Sequence, residues 1–170
     1  MTRRDQFHKW FVYALGLLPL WLLDAYILPR YPLFGFTPML LPLAAAAVAV
    51  MEGTFAGAGF GMVVGLLWEA AYPGGFGGLV IGLAVAGMLM GSAAQYVLSQ
   101  SFPGYLVCSA GLLVVLDGLR LLRGLFTNAA DPAALLAVAL PESLLTLVWS
   151  PVVWMVFRRV YDRVGGSKLA

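Results

Sequence analysis

Long apolar runs, separated by short polar, proline- or glycine-bearing breaks, set the pattern of the chain. A bilayer core about 30 Å thick needs roughly 20 residues of helix. On that ruler the pattern predicts six spans, at about 11–28, 37–51, 53–71, 78–98, 105–123 and 132–157, with a basic tail at 158–170. Pro19 predicts a kink in the first span, and Asp24 falls near its far end. Thr37-Pro38 reads as the N-cap and first helical residue of the second span, and Asp131-Pro132 does the same for the sixth. Pro141-Glu142 and Ser150-Pro151 predict interruptions in that last helix.

The third run is the one around which the others are expected to pack. Gly53, Gly57, Gly61 and Gly65 recur every four residues, and the same step lands on Glu69. Residues four apart share a helix face, so the glycines form a stripe without side chains. Each internal glycine costs roughly 1 kcal/mol against alanine in water. In a bilayer such a stripe lets a neighbouring backbone come close. The fourth run is the expected partner, through Gly82 and Ala86 or through Gly87 and Gly91.

Composition agrees with a polytopic membrane protein. The chain is 62% hydrophobic and 11% charged, against about 25% charged in soluble domains. One all-α integral membrane domain is predicted over 1–170, with no linker and no second unit. The N-terminal run is longer than a signal peptide and contains Asp24, so a retained helix is expected. Seven of the ten basic residues (Arg3, Arg4, Lys9, Arg158, Arg159, Arg163 and Lys168) flank the two chain ends. By the positive-inside rule both termini are expected in the cytoplasm. Trp10, Tyr26, Tyr31, Trp68 and Tyr72 read as an interfacial aromatic belt.

Charge inside the spans marks the candidate site. With the ends cytoplasmic, Asp24, Glu69, Asp117 and Arg120 all come late in outward-going helices. Glu142 enters from the returning sixth helix, about 16 Å in from Asp131 at 1.5 Å per residue. Ionisable groups at such depth face the bundle interior. These five residues are therefore the expected partner- or ligand-binding set, with Asp117 and Arg120 able to pair three apart. The bland alternatives are a purely structural Asp117–Arg120 pair and a snorkelling anchor at Arg120 and Arg123.

Catalytic chemistry is not expected. The single histidine, His8, precedes the first span, so no serine–histidine pair and no H-E-x-x-H site arises within the membrane. Asp24 and Asp117 sit in LDAY and LDGL contexts, unlike the YD and GxGD of intramembrane aspartyl proteases. Cys108 is alone, which removes disulfide and cysteine-metal frameworks. No cofactor or metal is expected, and no nucleic-acid partner.

From Pro38 to Arg159 the pattern resembles the MreD family of bacterial rod shape-determining membrane proteins. The resemblance is carried by the proline-opened second helix, the G-x-x-x-G-x-x-x-G-L-L-x-acid run from Gly57 to Glu69, the loop ending in Gly77-Gly78, the small-residue fourth helix and the basic end of a proline-bearing last helix. The family commonly has aspartate where Glu69 stands and a basic residue where Glu52 stands. The resemblance implies a non-enzymatic scaffold in the bacterial cytoplasmic membrane. Such a scaffold would hold MreC and couple MreB filaments to RodA and its transpeptidase partner. The family is similar in fold to the substrate-binding S components of energy-coupling-factor vitamin transporters, which supplies the rival expectation. Against that rival, the first helix offers only Ala14 and Ala25, not the A-x-x-x-A docking surface those components typically carry.

Overall fold

The computed structural model describes residues 3–32, 35–71, 78–98, 100–127 and 132–164. Its elements are all helical. Helix α1 (Arg3–Leu22) passes into a π-helical turn (Leu23–Ile27); then come α2 (Leu40–Glu52), α3 (Thr54–Ala71), α4 (Gly78–Tyr96), α5 (Phe102–Thr127) and α6 (Pro132–Val164). Five of the helices are long and apolar enough to cross a membrane, and α2 is a shorter apolar helix. The glycine-rich connection after α3 and the Asp131 cap lie outside the described residues, as do the side chain of Arg123 and the last residues of the basic tail.

The centre of the bundle is α2, not the glycine-striped helix. Its thirteen residues measure about 20 Å at 1.5 Å per residue, short of the bilayer core. Every residue from Leu40 to Met51 is buried, and α1, α3, α4, α5 and α6 all pack on it. The segment LLPLAAAAVAVM has no polar face, so no side of it is suited to water. Its alanines also let five neighbours approach closely, which larger side chains would prevent.

Consecutive helices run in opposite directions. Lys9 near the start of α1 meets Glu52 at the end of α2, while Asp24 after α1 meets Leu40 at the start of α2. Trp21 Nε1 donates to the Leu67 carbonyl at 3.3 Å, so the ends of α1 and α3 lie together. At the opposite end Tyr13 stacks on Phe157 at 6.3 Å and Phe60 meets Phe157 edge-on at 5.8 Å, tying α1, α3 and α6. The start of α1 and the end of α6 therefore share one end of the bundle.

The α3–α4 seam is built from the predicted stripe. A Cβ added at Gly57 would stand 2.5 Å from the Gly87 carbonyl oxygen, and one at Gly65 would stand 2.6 Å from the Val80 Cα. One at Gly61 would reach within 2.9 Å of the Leu83 carbonyl carbon, and one at Gly91 within 2.6 Å of the Gly53 carbonyl carbon. These are backbone atoms, so neither helix can yield without separating. Gly53 has a second duty. Its φ of 91° lets α2 turn directly into α3, a conformation that costs glycine little.

Two further expectations need correction. Gly82 is not in the seam, since a Cβ there would meet nothing within 4 Å. Nine residues separate it from Gly91, which at 3.6 residues per turn puts it on the opposite side of α4. Gly87, Gly91, Leu83 and Val80 form the contact face instead. Helix α6 is also uninterrupted over 33 residues, with Pro141 and Pro151 inside it and its end at Val164 rather than near 157. Pro151 leaves the Leu147 carbonyl without its usual donor, and the Ser150 hydroxyl supplies one at 2.6 Å.

Candidate functional site

The buried N-terminus of α2 creates the site. A helix start leaves backbone N–H groups unpaired, and inside a bundle they must find partners. Met39 at the N-cap is extended and supplies no side-chain cap, so the predicted Thr37-Pro38 start is replaced by one at Leu40. The caps come from other helices. The Leu40 N–H donates to Asp24 Oδ1 at 2.7 Å, and the Met39 N–H to Thr146 Oγ1 at 3.0 Å. Asp24 is 4% exposed and stands in the π-helical turn that follows Pro19 and closes α1. A carboxylate there also meets the positive end of the α2 dipole.

Around this cap the charges of α5 and α6 gather. Arg120 Nη1 lies 3.0 Å from Glu142 Oε2 and 3.9 Å from Asp117 Oδ1, and Nη2 donates to Met39 Sδ at 3.3 Å. The Ser143 hydroxyl donates to Asp117 Oδ2. Arg120 thus pairs across helices with Glu142 more closely than with Asp117 one turn away on α5. Thr146, besides capping Met39, donates to the Glu142 carbonyl at 2.7 Å. One face of α6 therefore serves both the cap and the ion pair.

A cavity of about 280 Å³ opens between Asp24, Thr37, Met39, Trp68, Arg120 and Glu142. Four of the five predicted site residues are brought together here: Asp24, Arg120 and Glu142 on the wall, and Asp117 behind Arg120. Glu69 is not on that wall. Its Oε1 is shut off from solvent, with no hydrogen-bond partner among the described residues. It continues the Gly57–Gly61–Gly65 face, and that face belongs to the α4 seam. Trp68, expected in an interfacial belt, lines the cavity, and Tyr26 and Tyr31 are exposed.

A second polar cluster closes the other end of α2. Lys9 Nζ pairs with Glu52 Oε2, and the Tyr13 hydroxyl donates to Glu52 Oε1 at 2.7 Å. The Lys9 and Glu52 side chains are only 10% and 3% exposed. A cation at a helix C-terminus complements the dipole, so α1 provides an anion at one end of α2 and a cation at the other. The sequence carries a signal for this in the i, i+4 spacing of Lys9 and Tyr13. Lys9, one of the basic residues flanking the chain ends, is thus drawn into a largely buried ion pair.

The arrangement at the start of α2 can hold charge and hydrogen-bond a polar guest. Among the described residues no three His, Cys, Asp or Glu side chains come together to hold a metal ion. No protein-family model matches the chain, and neither a curated protein nor a solved structure is significantly similar to it.

Proposed function

We propose that this helical membrane protein is a non-enzymatic scaffold of the bacterial cell-elongation machinery, seated in the cytoplasmic membrane with both chain ends in the cytoplasm. It holds an MreC-like membrane protein and, through it, links MreB filaments to RodA and its transpeptidase partner. The observation that carries this reading is the α3 motif. The glycines of the MreD resemblance, Gly57, Gly61 and Gly65, are those that join α3 to α4 backbone to backbone. A seam of that kind makes a rigid helix pair, and rigidity is what a scaffold needs to hold another chain in register. The acid that ends the motif continues the same face, with a carboxylate oxygen closed off from solvent. The orientation is supported by the basic residues at the shared end of α1 and α6, with Arg158 and Arg159 exposed there.

One observation favours a second reading, a substrate-binding S component of a vitamin transporter. The outer cavity of about 280 Å³ approaches the roughly 300–1,000 Å³ of ordinary small-ligand sites. A mild-detergent pull-down of the tagged chain from its native membrane, with mass-spectrometric identification, decides between the two. Recovery of an MreC-like protein supports the scaffold. Recovery of two transport ATPases with a coupling membrane subunit replaces it with the transporter.

A further inference from the structure

The apolar run of α6 ends at Phe157, and Arg158, Arg159, Asp162 and Arg163 follow it. Charges gathered at the end of a spanning helix stand at headgroup level, because the hydrocarbon core is costly for them. At that level lies a second cavity, of about 90 Å³. It is lined by Met51 at the end of α2, Gln100 just before α5, and Trp154, Arg158, Tyr161 and Asp162 of α6. Neither functional reading assigns it a role.

The lining groups do not satisfy one another. Arg158 and Asp162 are four apart, the spacing at which a helix pairs opposite charges, yet no ion pair joins them. Among the described residues, Gln100, Arg158, Asp162 and the Tyr161 hydroxyl make no side-chain hydrogen bond. A cation, an anion and two neutral hydrogen-bonding groups thus line one small space, beside the nearly buried Met51 and Trp154. An apolar track leads to it. Val148 and Met155 are exposed on α6, seven residues apart, and the next such step is Asp162. Two helical turns take about 7.2 residues, so these three share a face, and Arg158 stands one turn before Asp162. A molecule lying along Val148 and Met155 therefore ends with its polar head beside both charges. A soluble anion would use Arg158 and leave the track idle, and a purely anionic lipid would meet Asp162 as a like charge.

We infer that this cavity is a binding site for the head of an aminophospholipid, a phosphodiester that carries a primary ammonium. Arg158 and the Gln100 amide donate to the phosphate oxygens, and the ammonium donates to Asp162 and the Tyr161 hydroxyl. The acyl chains lie along Met155 and Val148. A trimethylammonium head has no N–H for Asp162. Its three methyl groups would also crowd a space of about 90 Å³, roughly three water volumes at about 30 Å³ each. Neither the scaffold nor the transporter reading is needed for this site.

The test is native mass spectrometry of the full chain, purified in mild detergent and offered an equimolar mixture of dioleoyl phosphatidylethanolamine, phosphatidylglycerol and phosphatidylcholine. Phosphatidylethanolamine should be retained about fivefold or more over each of the others. Arg158→Gln and Asp162→Asn should each bring that ratio close to one. Arg159→Gln, whose side chain does not line the cavity, should leave it unchanged. Should either cavity variant fail to give a cooperative melt, Gln100→Ala takes its place with the same expected loss. Preference for phosphatidylglycerol would make Arg158 a plain anion anchor, and equal retention of the ethanolamine and choline lipids would remove the ammonium N–H as a determinant. Either result overturns the inference, as does an Asp162→Asn variant with the parent's preference. Displacement of the bound lipid by an equal concentration of soluble glycerophosphoethanolamine would overturn the lipid as occupant, since the apolar track would then contribute nothing. A pull-down that fails to recover MreC leaves these ratios unaffected, so the two proposals fail separately.

Discussion

Asp24→Ala is the sharpest probe of how this bundle is assembled. The substitution removes the oxygen that accepts the Leu40 N–H at 2.7 Å, at a residue only 4% exposed. Loss of an N-cap costs about 0.5–2 kcal/mol, and hydrogen bonds to a charged group are worth about 1.5–3 kcal/mol. These overlap rather than add. A loss of about 1.5–3 kcal/mol is therefore expected, a large part of the roughly 5–15 kcal/mol that holds a typical domain. Asp24→Asn keeps an acceptor oxygen and loses only the charge facing the helix dipole, so it should cost about 1 kcal/mol. Thermal unfolding of the detergent-purified chain, read by tryptophan fluorescence, should rank parent, Asp24→Asn and Asp24→Ala in that order. Because the cap spans two helices, the Ala variant should also expose the α2 region to limited proteolysis before the rest. If Asp24→Ala melts with the parent, or if the two variants melt together, the cap is not what holds the start of α2.

Gly61→Leu should destabilise by about 3 kcal/mol or more, since overpacking here meets the Leu83 backbone and not a movable side chain. Gly82→Leu should change the melting temperature little, because that position faces open space; equal effects at both sites would refute the seam. Lys9→Met should lower stability by about 3–5 kcal/mol by leaving Glu52 buried without its cation, and adding Glu52→Gln should return much of the loss. A double variant no better than Lys9→Met alone would remove the ion pair as the cause. Reporter fusions at the two chain ends should both read cytoplasmic, and an external C-terminus would contradict the charge-based orientation.

Much of the helical framework is legible in the sequence, because helix formation in a membrane is decided locally. A run of about 20 apolar residues must satisfy its own backbone, and it does so as a helix wherever it is placed. The four-residue glycine step likewise predicts a close seam, since the helical repeat alone puts Gly57, Gly61 and Gly65 on one face. Local signals also misled in identifiable ways. Pro141 and Pro151 read as breaks, yet α6 continues because its neighbours and its own Ser150 hydroxyl support it. Gly82 read as part of the stripe because it is small, although its angular position on α4 turns it away.

What only the tertiary structure decided is which faces meet. Nothing within 37–52 distinguishes a lipid-facing span from a core helix, because apolar side chains suit both surroundings. The five neighbours that enclose α2 make it the centre, and its burial then demands polar partners at both ends. Those partners lie far along the chain: Asp24 is 16 residues from Leu40, Glu52 is 43 from Lys9 and Thr146 is 107 from Met39. Arg120 could pair locally with Asp117, but the order of helices around α2 puts Glu142 at 3.0 Å and makes that the closer bond. The sequence by itself determined the helices, their small-residue faces and the presence of charge near one end. Packing around α2 determined which charges meet, because a helix sealed from both lipid and water can satisfy its termini only with side chains from its neighbours.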